Sequence, residues 1–138
     1  MKNTATIEYL GELRTKARHN RSGQEIITDA PIDNQGKGEA FSPTDLASTS
    51  LASCMLTVMG IAAKTHSIDI KGAIAELNKI MTDNPRRIAR IEIDIFMPQN
   101  ITYSSKEKAI LTNAAKSCPV GRSLHPDLEE VLQIHWCD

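Results

Sequence analysis

Aromatic side chains are scarce in this 138-residue chain, at 4%: Tyr9, Phe41, Phe96, Tyr103 and Trp136. So few rings exclude a job built on stacking bases or sugars, and they leave the core to Ile, Leu, Val, Met and Ala. Charge of one sign is missing too. Sixteen Lys+Arg stand against seventeen Asp+Glu, a net charge of −1. No basic surplus offers a nucleic-acid face, and no polybasic run offers a membrane surface, so neither partner is expected. Three cysteines, Cys54, Cys118 and Cys137, are too few and odd in number for a secreted disulfide framework, and none forms a Cys-x-x-Cys pair. The opening stretch, residues 1–14, lacks the apolar core of a signal peptide, so a reducing cytoplasm is the expected compartment. Gly36-Lys37-Gly38 lacks the strand and helix context of a phosphate loop. His135-x-Cys137 has no second pair at metal-ligand spacing, so neither a metal nor another cofactor is expected.

What is present reads as a single α+β domain over residues 1–138. Ala5, Ile7 and Tyr9 alternate with Thr4, Thr6 and Glu8; Leu13, Thr15 and Ala17 alternate with Arg14, Lys16 and Arg18. That period of two predicts two strands with one wet face. Asn20-Arg21-Ser22-Gly23 is a turn signal before a short strand over 24–28, and residues 31–40 read as loop. Further on, a strand is expected over 68–81, a turn at Thr82-Asp83-Asn84-Pro85, and a strand carrying Ile91, Ile93, Ile95 and Met97. Ser104 with Glu107 predicts a capped helix whose stripe is Ile110, Leu111, Ala114, Ala115 and Cys118. Cys118-Pro119 ends it, and 131–136 reads as a last strand.

The central feature is the segment from Ser42 to Thr65. Ser42 caps, Pro43 suits the first helical position and Asp45 completes the capping box. The helix that follows is expected to span roughly 22 residues, about 33 Å. Residues 46–63 carry no charge, which approaches the length of a membrane span. Ser48, Thr49, Ser50, Ser53 and Thr57 are too many hydroxyls for lipid, so a helix buried in protein, with close neighbours on most sides, is the better reading.

Cys54 lies midway along that helix. Taken alone, it and Cys118 are most simply small core hydrophobes, and nothing in a 64-residue separation makes them a pair. Cys137 reads as incidental, His66 as a helix-end residue, and Arg122 as a solvated cation, with a thiolate partner as the alternative. His125, close in sequence to Cys118, is a weaker site candidate. However, Phe41-Ser-Pro-Thr-Asp-Leu46, Leu51-Ala-Ser-Cys54, Cys118-Pro-Val120 and Ser123-Leu124 in this order closely resemble the OsmC/Ohr family, the osmotically inducible protein C and organic hydroperoxide resistance proteins. The resemblance runs over essentially the whole chain.

The resemblance implies an intertwined homodimer, with antiparallel-rich sheets wrapped around long central helices and active sites at the dimer interface. It implies Cys54 as the peroxidatic cysteine, Cys118 as the resolving one, and an arginine to stabilise the Cys54 thiolate. Arg21 is the nearest match and Arg18 the fallback. A thiolate so deep in a helix is beyond reach of the N-terminal dipole and needs such a cation. The implied activity is thiol-dependent peroxidase chemistry on organic hydroperoxides, reset by an external dithiol. The sequence departs from the Ohr branch at Thr44, where that branch carries the glutamate that holds the arginine. Asp45 caps the helix, Glu39 is the nearest substitute, and the chain reads as the broader OsmC-like branch. The alternative is a non-enzymatic dimer that uses the same pocket to bind a small apolar ligand or to sense oxidant.

Overall fold

The structure, a computed structural model, describes residues 3–137. The chain divides at Ala47/Ser48 into two compact units. In the first, β1 (Ala5–Gly11), β2 (Arg14–His19) and β3 (Glu25–Asp29) form an antiparallel sheet in that order. The register sets Ile7 beside Ala17 and Ile26, and Tyr9 beside Thr15 and Thr28. One face is therefore apolar, as the alternation predicts. The other carries Glu8, Lys16 and Glu25, with the Lys16 ammonium 3.8 and 3.9 Å from the two carboxylates. The apolar face is open: Ile7 is 61% and Tyr9 63% exposed.

Helix α1 (Pro43–Thr65) starts where the capping box places it. The Asp45 N–H donates to Ser42 Oγ and the Ser42 N–H to Asp45 Oδ2, both at 3.0 Å. In the second unit, β4 (Ile74–Thr82), β5 (Arg87–Phe96) and β6 (Glu129–His135) make a sheet, with α2 (Ser105–Lys116) and α3 (Pro119–Ser123) between β5 and β6. β4 and β5 are an antiparallel hairpin, whereas β6 runs parallel to β5. A parallel neighbour requires a long crossover, and α2 and α3 supply it. Ile91, Ile93 and Ile95 of β5 pack with Leu51, Met55 and Met59 of α1 and Leu111 and Ala115 of α2, all within 2% of fully buried. The α2 capping box is present: the Glu107 N–H donates to Ser104 Oγ, and the Ser104 N–H to Glu107 Oε1.

Two expectations are corrected. The strand expected over 68–81 begins only at Ile74. Asp69 turns the chain by accepting the Lys71 N–H, Gly72 takes φ +97°, and the Tyr103 hydroxyl donates to the Asp69 carbonyl at 2.7 Å, so residues 68–73 are tied down outside the ladder. The last strand runs 129–135 rather than 131–136. Within one chain, α1 is covered along one face. Its buried stripe is Ser48, Leu51, Ala52, Met55, Met59 and Ala63, while Ser53, Thr57 and Ile61, one helical row away, face outward. By length and composition alone α1 could cross a membrane; a third of its apolar window is buried in this chain.

Candidate active site

Cys118 sits at a junction that its neighbours dictate. The stripe Leu111, Ala115, Cys118 brings it into the core at 2% exposure. Ser117 closes α2, and Pro119 forces Cys118 into extended backbone, φ −71° and ψ 143°. Cys118 thereby becomes the cap of α3, and its Sγ accepts the Gly121 N–H at 3.3 Å. On α1, the half-buried Cys54 packs against the same core. Cys54 and Cys118 thus share one buried cluster, near enough for Cys54 to influence the Cys118 thiol. Sixty-four residues of separation are thus closed by the packing of α1 against the α2–α3 junction. Burial pushes the Cys118 thiol up, the Gly121 N–H pulls it down, and Cys54 and Glu130 add to the rise. Cys118 is therefore held as a protonated thiol near neutral pH.

Glu130 is a site residue that sequence reasoning missed. The β5–β6 register aligns Glu130, Leu132 and Ile134 with the buried Ile91, Ile93 and Ile95. A carboxylate thus begins a core-facing row, a break in the alternation that the sequence does show. A Cβ added at Gly121 would lie 3.1 Å from Glu130 Oε1 and 3.3 Å from Cys118 Sγ. Carboxylate and sulfur flank one point, and only a glycine leaves it open. Glu130 also lines, with Met55, Lys116, Val131 and Leu132, an open cavity of about 470 Å³. A second groove, of about 420 Å³, runs between α1 (Thr49, Ala52, Ser53, Leu56, Thr57) and β4 (Ala75, Leu77).

The arginines belong to the N-terminal unit. Arg21 is exposed in the β2–β3 turn, and Arg18 lies beside Gly23, its Nη2 3.8 Å from where a Cβ would be. The cation with a built environment is a third one, Arg14. Its Nε and Nη2 donate to Asp29 Oδ1 and Oδ2 at 2.7 and 2.8 Å, and Nη2 donates to Glu39 Oε1 at 3.1 Å. Asp29, 1% exposed, also accepts the Glu39 N–H at 3.1 Å. The Arg14 fork holds the Asp29 carboxyl below the ordinary aspartate range against the effect of its burial, and Asp29 in turn raises Arg14. Glu39, the nearest substitute for the Ohr glutamate, engages Arg14, because the 30–40 loop folds back over the end of β3. Thr44, where Ohr proteins carry glutamate, places its hydroxyl 3.2 Å from Ser42 Oγ at the start of α1.

The remaining candidates have local partners. His125 Nδ1 accepts the Asp127 N–H at 3.0 Å on an exposed turn. His135 Nε2 meets Asp94 Oδ1 at 2.8 Å, its ring stacked on Phe96 at 4.6 Å. Cys137 donates to the Gln99 carbonyl at 2.8 Å. Among the described residues no three His, Cys, Asp or Glu side chains gather as a metal site would require.

Known proteins share this fold. The OsmC-like protein family matches residues 36–130, which include both cysteines. The chain belongs to the OsmC-like family. No curated protein matches it. Among solved structures, the OsmC-like chain is similar to a Psychrobacter arcticus 273-4 protein named for an osmotic-stress and detoxification response. The identity is 51% and the TM-score 0.92, over 98% of this chain and 97% of that one. It shares its fold with an organic hydroperoxide resistance protein OsmC from Legionella pneumophila, at 14% identity, TM-score 0.72 and 98% coverage of both chains. It also shares it with a Vibrio cholerae organic hydroperoxide resistance protein carrying captopril in one active site, at 12% identity and TM-score 0.71, over 97% of this chain and 92% of that one.

Proposed function

We propose that this OsmC-like chain is a cysteine-based peroxidase that reduces organic hydroperoxides. The observation that carries the reading is that Cys54 packs against the buried cluster that holds Cys118, where α1 meets the α2–α3 junction. The Cys54 thiolate attacks the terminal peroxide oxygen. An S–O bond forms, the O–O bond breaks, and the departing alkoxide takes a proton to leave as an alcohol. Cys118 then attacks the Cys54 sulfenic acid; the S–S bond forms, and the displaced hydroxide takes a proton to leave as water. An external dithiol reduces the disulfide by exchange and restores both thiols, in keeping with a reducing cytoplasm.

The active unit in this reading is a homodimer. The outward row Ser53, Thr57 and Ile61 on α1 and the open face bearing Ile7 and Tyr9 are surfaces that a second copy would cover. An apolar pocket there favours organic over hydrogen peroxide. Arg21, with Arg18 as the fallback, is the cation assigned to the Cys54 thiolate. A binding or oxidant-sensing role in place of turnover is favoured by one observation, Thr44 at the position of the Ohr glutamate. Both readings are tested by following cumene hydroperoxide loss with dithiothreitol as reductant. Turnover that Cys54→Ser abolishes supports the peroxidase; turnover no faster than that variant rejects it in favour of the binding role.

A further inference from the structure

We propose that Glu130 is the base that takes the proton from Cys118 when this thiol closes the disulfide with Cys54, an inference that rests on the two cysteines acting as a redox pair. Glu130, exposed, stands at the start of the β6 row that continues with Leu132 and Ile134, level with Ile91. Its Oε1 and the Cys118 Sγ both lie within 3.3 Å of the point where a Gly121 side chain would begin. The groups that face Cys118 are therefore Cys54 from α1, Glu130 from β6 and the Gly121 N–H of α3, with Lys116 of α2 lining the cavity that Glu130 shares. No ion pair occupies the Glu130 carboxylate among the described residues. A carboxylate so placed serves a buried thiol in sequence. At rest its charge disfavours a second thiolate beside Cys54, which leaves Cys118 protonated. As Cys118 Sγ attacks the Cys54 sulfur, Glu130 accepts the Cys118 proton, the S–S bond forms and the S–O bond breaks. Glu130 then passes the proton to the departing hydroxide, which leaves as water into the open cavity.

The test separates this step from the peroxide chemistry. In a Cys137→Ser background, an aromatic disulfide, 5,5′-dithiobis(2-nitrobenzoate), reacts first at Cys54, releasing one nitrothiobenzoate. Cys118 then displaces the second, and that phase reads the proton removal alone. Glu130→Gln is expected to leave the first phase unchanged and to slow the second roughly tenfold or more at neutral pH. The residual rate should climb with pH as Cys118 ionises unaided, and Glu130→Asp should recover part of it. A second phase that is unchanged or faster in Glu130→Gln overturns the proposal; faster would mean that the carboxylate acts only by holding Cys118 protonated. Equal slowing by Gln and Asp also overturns it, in favour of a structural role. A wild type that releases no second nitrothiobenzoate overturns both the pair and the base. If Cys118→Ser forms no dimedone-trappable sulfenic acid with cumene hydroperoxide, yet the second phase of the wild type needs Glu130, the peroxide reading falls and this one stands.

Discussion

Gly121→Ala is a sharp probe of the α3 turn, because its effects on stability and on chemistry point in different directions. Gly121 does not occupy the left-handed region, so alanine fits the backbone. Replacing glycine at such a site stabilises by about 0.4–1 kcal/mol through the unfolded chain. Against this, the new methyl stands 3.1 and 3.4 Å from the Glu130 carboxylate oxygens and 3.3 Å from Cys118 Sγ. The exposed carboxylate can swing aside for roughly 0.5–1.5 kcal/mol, the cost of a poor rotamer. The sulfur, buried and bonded to the Gly121 N–H, has little room to yield. The two terms nearly cancel, so the urea-unfolding free energy should stay within about 1 kcal/mol of wild type. The geometry does not cancel, because the methyl parts Glu130 from Cys118. Misplacing a reacting group by about 1 Å costs up to ~100-fold in rate. The second nitrothiobenzoate phase should therefore slow about tenfold or more with the first phase intact. A stable Gly121→Ala protein that closes its disulfide at the wild-type rate would refute the argument that carboxylate and thiol work across this gap.

Two further outcomes follow from the folded scaffold. Because Arg14 holds the Asp29 carboxyl below its ordinary range, Asp29 contributes stability that is fully present above the ordinary aspartate range and is lost as pH falls through the lower folded-state value. Urea midpoints should therefore drop in acid for the wild type, and Asp29→Asn should start lower at neutral pH and show a shallower acid slope; an unchanged slope would remove Asp29 from the account. Leu111→Ala, at a fully buried position, should lower the unfolding free energy by about 2–5 kcal/mol, whereas Ser104→Ala, which breaks the α2 capping box, should cost about 1 kcal/mol in the same urea titration.

Much of the local structure was legible because it rests on neighbours in sequence. Both capping boxes formed where Ser42/Asp45 and Ser104/Glu107 stand three residues apart. The alternation of Ile91, Ile93 and Ile95 set which face of β5 is buried. Where reading failed, a distant group had intervened. Ile68 and Ile70 look like strand residues until the Tyr103 hydroxyl, thirty-four residues on from Asp69, holds that turn out of the ladder. Arg14 looked like any residue on a wet strand face, because its partners Asp29 and Glu39 come from β3 and the loop beyond it.

By itself, the sequence determined the α+β class, the helix limits and, through its spaced cysteine blocks, the family, since each depends on short-range periodicity, capping or local pattern. Tertiary structure alone decided that Cys54 and Cys118 share one buried cluster, that Glu130 stands beside Gly121, and that Arg14 rather than Arg18 or Arg21 holds Asp29 and Glu39. The reason is physical: a helix cap is fixed within four residues, but a thiol's neighbours are set by which surfaces the buried Ile, Leu and Met side chains draw together. The scarcity of rings fits the same account, a core of aliphatic packing.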